Sequence, residues 1–113
     1  MDELSKLELV LLQKLGEKYP YLKKHFKYLK VRDRVFTGIG MYINFIYTEE
    51  IEMIDKLEIS DTSLSTNENI EVDGLKYGLG YELDISNGRM NYIEFITYGE
   101  TWDGTFKNFR FVS

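Results

Sequence analysis

The chain has 113 residues, 43% of them apolar and 15% aromatic, which suffices for one hydrophobic core and argues against disorder. It contains no cysteine, so disulfides, thiolate nucleophiles and cysteine-bound zinc or iron–sulfur centres are excluded. A net charge of −5 disfavours generic binding to nucleic-acid phosphates.

Leu4, Leu7, Leu11 and Leu15, broadened by Val10 and Leu12, recur at helical spacing and predict an amphipathic first helix. Asp2 is one N-cap candidate, and Ser5 with Glu8 forms a second, a capping box. Gly16 suits a left-handed stop. Pro20 suits the first turn of a second helix, along which Leu22, Phe26 and Leu29 repeat. A helical hairpin over residues 1–30 is expected, followed by an antiparallel sheet over 31–113 within one domain.

From Val31 the period becomes two. Val35, Phe36 and Thr37 predict a strand leading into Gly38-Ile39-Gly40. Met41–Thr48 then alternates with two largely apolar faces, the pattern of an interior strand. Residues 49–68 fit helix, edge strand or loop, with Ser60–Asn69 reading as loop. A strand at Asn69–Asp73 follows. Asn87-Gly88 between two alternating runs specifies a two-residue type I′ hairpin. That turn sets Ile85 opposite Met90, Leu83 opposite Tyr92, Tyr81 opposite Glu94 and Gly80 opposite Phe95. Phe106, Phe109 and Phe111 supply a last strand. The expected class is α+β, a helical hairpin on a twisted antiparallel sheet of five to six strands. An open edge left by residues 49–68 would allow a homodimer.

Charge is unevenly distributed. Lys14–Arg34 holds eight basic and two acidic residues, whereas Glu49–Asp73 holds nine acidic residues and one lysine. Such runs are either solvated faces that attract each other weakly or, for the acidic one, a surface for a basic partner. The acidic start Met1-Asp2-Glu3 lacks the basic stretch of a secretory signal, and no apolar run approaches the roughly 20 residues that span a bilayer. A soluble cytoplasmic protein is expected, with no membrane or nucleic-acid partner.

Cofactor and metal motifs are missing. Gly38-x-Gly40 and Gly78-x-Gly80 lack the third glycine and the lysine of a phosphate cradle, and they read as close strand approaches. His25 is the only histidine and, among lysines, reads as a surface residue, so no metal set and no serine–histidine nucleophile can be assembled. Glu94 breaks the pattern. The expected register puts it on the apolar face opposite Tyr81, where a carboxylate either finds donors or has its pKa raised as in a general acid. Tyr98-Gly99-Glu100-Thr101-Trp102 concentrates aromatics and an acid in one turn, either as an interface anchor or as a plug closing the core.

Phe36-Thr37-Gly38-Ile39-Gly40 with Asn44-Phe45, Gly78-x-Gly80-Tyr81, and Ile93-Glu94-Phe95-x-x-Tyr98-Gly99-Glu100-x-Trp102 together resemble a group of small bacterial proteins without an established function. The resemblance transfers no activity; it implies that the glycines, Glu94 and Trp102 form one structural unit. The expected role is a non-enzymatic interaction module, such as an immunity or antitoxin-like inhibitor of a basic toxin. Its contacts would come from Glu49, Glu50, Glu52, Asp55, Tyr98, Glu100 and Trp102. The competing expectation is a small acid–base enzyme or ligand-binding domain using Glu94 and Tyr81.

Overall fold

The computed structural model describes residues 3–48 and 55–113. Helix α1 spans Lys6–Lys18 and starts at Ser5, whose hydroxyl accepts from the Glu8 amide while Glu8 Oε1 accepts from the Ser5 amide. The alternative cap, Asp2, lies outside the described residues. Leu7, Leu11, Leu12 and Leu15 are buried along one face. Gly16 does not stop the helix. It lies inside α1, where an added Cβ would stand 2.9 Å from the Phe26 ring, so its role is close packing.

The second helix is shorter than the apolar spacing predicts. A 3₁₀ turn at Pro20–Leu22 leads into α2, the single turn Lys23–Phe26. Leu29 belongs instead to β1, Leu29–Phe36, where it pairs with Tyr47. His25, expected on the surface, is fully buried. One helical turn presents it inward while Lys23, Lys24 and Lys27 remain exposed.

The other strands are β2 (Gly40–Tyr47), β3 (Thr62–Leu64), β4 (Asn69–Glu71), β5 (Leu79–Ser86), β6 (Arg89–Thr97) and β7 (Arg110–Val112). These seven strands, among the described residues, exceed the five to six expected. The addition is β3, from a stretch whose polarity reads as loop. Every pairing is antiparallel, in the order β1-β2-β6-β5-β4-β7, with β3 also on β5. The α1 leucines cover one face, joined there by Val31, Ile43, Leu79, Leu83, Ile93 and Phe95 in a single core. Glu8 of α1 reaches down to Arg34 of β1, and Lys14 reaches Glu68 beside β4. The latter contact joins the basic segment to the acidic one.

Asn87 and Gly88 take φ of 52° and 72°, as the type I′ turn requires, and Ser86–Arg89 and Ile85–Met90 pair as expected. Beyond them the register departs from expectation. A bulge between Asp84 and Ile85 on the β5 side leaves Asn91 unpaired on β6, so Leu83 faces Ile93, Tyr81 faces Phe95 and Glu82 faces Glu94. The physical reason is burial. An unslipped ladder would hold the Glu94 carboxylate and Tyr92 inward and expose Ile93 and Phe95. Burying a lone carboxylate costs several kcal/mol, more than the local irregularity of one bulge. Glu94 therefore does not lie on the core face, and it does not face Tyr81.

Candidate functional site: the open face of the sheet

The second apolar face of β2 has no layer packed on it among the described residues. Tyr42, Asn44 and Ile46 point away from the helices, and the β2–β6 ladder sets Tyr42 opposite Glu94, Asn44 opposite Tyr92 and Gly40 opposite Ile96. The bulge at Asn91 brings these β6 residues to this side, and β5 adds Gly80, Glu82 and Asp84. Exposed apolar groups rim the surface: Val35 is 48% accessible, Ile46 39% and Ile96 42%.

Its centre is acidic and aromatic. Glu82 and Glu94 stand directly opposite each other across the β5–β6 ladder. The Tyr42 and Tyr92 rings meet edge to face at 5.3 Å. Hydrogen bonding to Glu94, then that carboxylate's charge, pushes the Tyr42 hydroxyl above its ordinary pKa. The Tyr92 hydroxyl is raised by burial and then by the charges of Asp84, Glu94 and Glu82, so three carboxylates bear on one phenol. Asp84 accepts from Ser86 at 2.6 Å and from the bulged Asn91 amide at 3.1 Å. Asp33 accepts from Asn44 at 2.7 Å, which together with Arg32 lowers its pKa. Among the described residues, Glu82 and Glu94 have no lysine or arginine partner.

Tyr98, 56% exposed, crosses Gly80, where an added Cβ would stand 2.9 Å from its hydroxyl. The ring expected over this glycine was Phe95, which the register shift turns into the core. Beside Tyr98 opens a cleft of about 430 Å³, with Glu68, Glu82 and Ile96 in its walls. A second cleft of about 550 Å³ lies between the 72–78 loop and β7 and is lined by Asp73, Lys76, Asn108 and Arg110.

The structure separates the other expected site residues. Glu100 grips two successive backbone amides, Lys76 at 2.8 Å and Tyr77 at 2.9 Å, and so pins the 72–78 loop. Trp102 is buried between Phe36 and Phe106 and donates its indole N–H to the Thr105 carbonyl, so it closes an end of the core. Its amide bonds to the Gly38 carbonyl, which joins it to the first Gly-x-Gly stretch, while Glu94 belongs to the opposite side of the sheet. The close approaches expected of these glycines are present: an added Cβ at Gly40 would fall 2.5 Å from the Phe95 carbonyl, and at Gly78 2.5 Å from that of Ile70. Asp55 is exposed, and its carbonyl accepts from His25. Glu49, Glu50 and Glu52 lie outside the described residues.

Tyr81 is buried and its hydroxyl bonds to Thr66, holding the 65–68 loop; burial is the main cause of its raised pKa. Glu94 and Tyr81 thus occupy opposite faces. The second acid that hydrolytic chemistry would need does stand beside Glu94, as Glu82, but on the solvent side. Among the described residues no three histidine, aspartate or glutamate side chains gather as a metal set, and no helix is long and apolar enough to cross a membrane. Comparison with protein-family models, with curated proteins and with solved structures finds no match to this chain.

Proposed function

We propose that the chain is a non-enzymatic protein-interaction module that binds a cationic protein through the open face of its sheet, as an immunity or antitoxin-like inhibitor masks a basic toxin. The observation that carries this reading is the Glu82–Glu94 pair at the centre of that face. Like charges directly opposite on neighbouring strands destabilise a sheet by about 0.2–1 kcal/mol. Folding gives no reason to keep that cost, whereas a bound guanidinium or ammonium group would relieve it. Tyrosines beside the pair and an isoleucine and valine rim give the surface the aromatic, amphipathic make-up of a protein interface. Acid–base catalysis built jointly on Glu94 and Tyr81 is disfavoured by their placement on opposite faces.

The test is recovery of the partner from source cells with the tagged chain, followed by reconstitution of the purified pair. A basic protein is expected, and co-expression of this chain should relieve any toxicity that protein has. The double variant Glu82→Lys with Glu94→Lys should weaken the reconstituted complex at least about a hundredfold, since it replaces attraction by repulsion at two contacts. Its melting temperature should stay within a few degrees of the parent, because both side chains face solvent. An acidic partner, or binding indifferent to the double reversal, would refute the reading.

A further inference from the structure

We propose that His25 is an acid-operated latch: protonation of its ring frees residues 55–61 from the tip of the β5–β6 hairpin. The ring is fully buried and both nitrogens are engaged, Nδ1 with the Tyr47 hydroxyl at 2.8 Å and Nε2 with the Asp55 carbonyl at 2.8 Å. A carbonyl only accepts, so Nε2 carries the hydrogen. Nδ1 is then the acceptor, and the Tyr47 hydroxyl donates to it. The Tyr47 oxygen in turn accepts the Met90 amide at 2.9 Å. The chain from Met90 through Tyr47 and His25 to Asp55 is therefore complete only with a neutral imidazole.

A second proton has no place in it. It would take the Nδ1 lone pair to which the Tyr47 hydroxyl donates, forcing that O–H to turn away from the ring and lose its acceptor in the chain. The resulting charge would lie buried, with Lys24 of α2 and Arg89 of β6 as the cations facing it, the latter 5.8 Å from the centre of the Tyr47 ring. From the 55–61 segment the ring meets the Asp55 backbone oxygen, and from β2 the neutral phenol. Burial above all holds the His25 pKa below 6.5; the Asp55 carbonyl pulls it upward, and Lys24 and Arg89 add smaller downward contributions. The sign follows. Above pH 6.5 the ring is neutral folded or unfolded, and the latch contributes in full. As pH falls below 6.5 the unfolded chain takes up a proton that the closed form refuses, so the closed form is penalised until its own lower pKa is passed.

Opening happens where the cover is thinnest. Residues 55–61 form a strap over the Asn87-Gly88 turn: the Leu57 amide donates to the Gly88 carbonyl, the Gly88 amide to Ser60, and the Asn87 amide to Asp61 Oδ1. Lys56 Nζ adds a bond to Asn87 Oδ1. Only Leu57 of the strap is buried, and Asp55, Lys56 and Glu58–Asp61 are exposed. Water reaches an imidazolium by parting the strap at far lower cost than by parting the sheet beneath it.

The experiment is native-state hydrogen exchange on the intact chain, comparing the Leu57, Asn87 and Gly88 amides with those of Ile43 and Ile93. Between about pH 7.5 and about pH 5, protection of the strap amides should fall at least about tenfold more than protection of the core pair. The His25→Gln side chain can still donate to Asp55 but cannot take a proton, so its strap protection should not change with pH. Tyr47→Phe removes the donor to Nδ1 and should move the release midpoint upward, towards 6.5. This second variant decides the matter if His25→Gln fails to fold. Strap and core amides losing protection in parallel, unaltered pH dependence in His25→Gln, or an unmoved midpoint in Tyr47→Phe would each overturn the proposal.

Discussion

Glu8 does two jobs with one carboxylate. It completes the N-terminal capping box of α1 with Ser5, and it receives Arg34 at 2.6 Å through Oε1 and 3.2 Å through Oε2 while fully buried itself. Arg34 also donates to the Glu3 carbonyl, so the start of the helix is tied to β1 through one guanidinium. A buried carboxylate is tolerable only while such donors persist. Arg34→Ala is therefore expected to destabilise the chain by about 3–5 kcal/mol, because the buried charge left behind loses this guanidinium and keeps the Ser5 amide. Replacing both residues by leucine should cost distinctly less, even though the cap is lost with Glu8 at about 1 kcal/mol. Urea unfolding of the two variants checks this; equal losses would show that the pair's geometry, and not the stranded charge, dominates. The capping half of this arrangement is legible in the sequence, since Ser5 and Glu8 are three residues apart. The arginine half is not, since Arg34 is turned inward by a bulge at Arg32 that no local pattern announces.

At the level of elements, the β5–β6 hairpin divides what local chemistry dictates from what the core decides. Asn-Gly fixes the turn because few dipeptides accept two successive positive φ angles, and its first two pairs follow. Further along, either face of β6 offers an apolar set: Met90, Tyr92 and Ile96 with Glu94, or Ile93 and Phe95 with no charge. The second set wins because α1 buries whatever faces it, and the change of face is absorbed at Asn91. The signal was present in the carboxylate itself, as Glu94 marks the side that has to remain wet. Deleting Asn91 should close the bulge while Tyr92 stays opposite Asp84, Ile93 opposite Leu83 and Glu94 opposite Glu82, so the faces are kept and the loss in urea unfolding should stay near about 1 kcal/mol, that of the bond to Asp84. Asn91→Ala keeps the bulge and forfeits one side-chain bond to Asp84, so its cost should stay near 1 kcal/mol. A loss above about 3 kcal/mol for the deletion alone would mean that the bulge itself, and not the burial of Ile93 and Phe95, holds the register. The one-turn α2, the buried His25 and the short β3 were illegible for a related reason. Each is held by partners distant in sequence, such as Tyr47 for His25 and β5 for β3.

For the whole molecule, the proposed interaction draws on two populations of acidic charge that act at different stages of binding. Composition revealed the acidic run from Glu49 to Asp73, but not the Glu82–Glu94–Asp84 group on the open face, whose members are scattered along two strands and meet only through the shifted register. Charges that act over distance raise the encounter rate in proportion to the field they sum to, whatever their contacts in the final complex, and salt screens them with a Debye length of about 10 Å at 0.1 M. Charges desolvated at the contact act on the lifetime of the complex instead. Glu49→Lys, Glu50→Lys and Glu52→Lys together remove three negative charges and add three positive ones while changing none of the residues described on the open face. This triple variant should lower the association rate of the reconstituted pair about tenfold at low salt and leave dissociation nearly unchanged, with the difference from the parent shrinking as salt is raised. The Glu82→Lys and Glu94→Lys variant should accelerate dissociation, and added salt should restore little of the lost lifetime. Stopped-flow or surface-based kinetics at two ionic strengths separates the two. If the triple variant instead shortened the lifetime and the double variant left it intact, the contact would belong to the acidic segment and the sheet face would be a bystander.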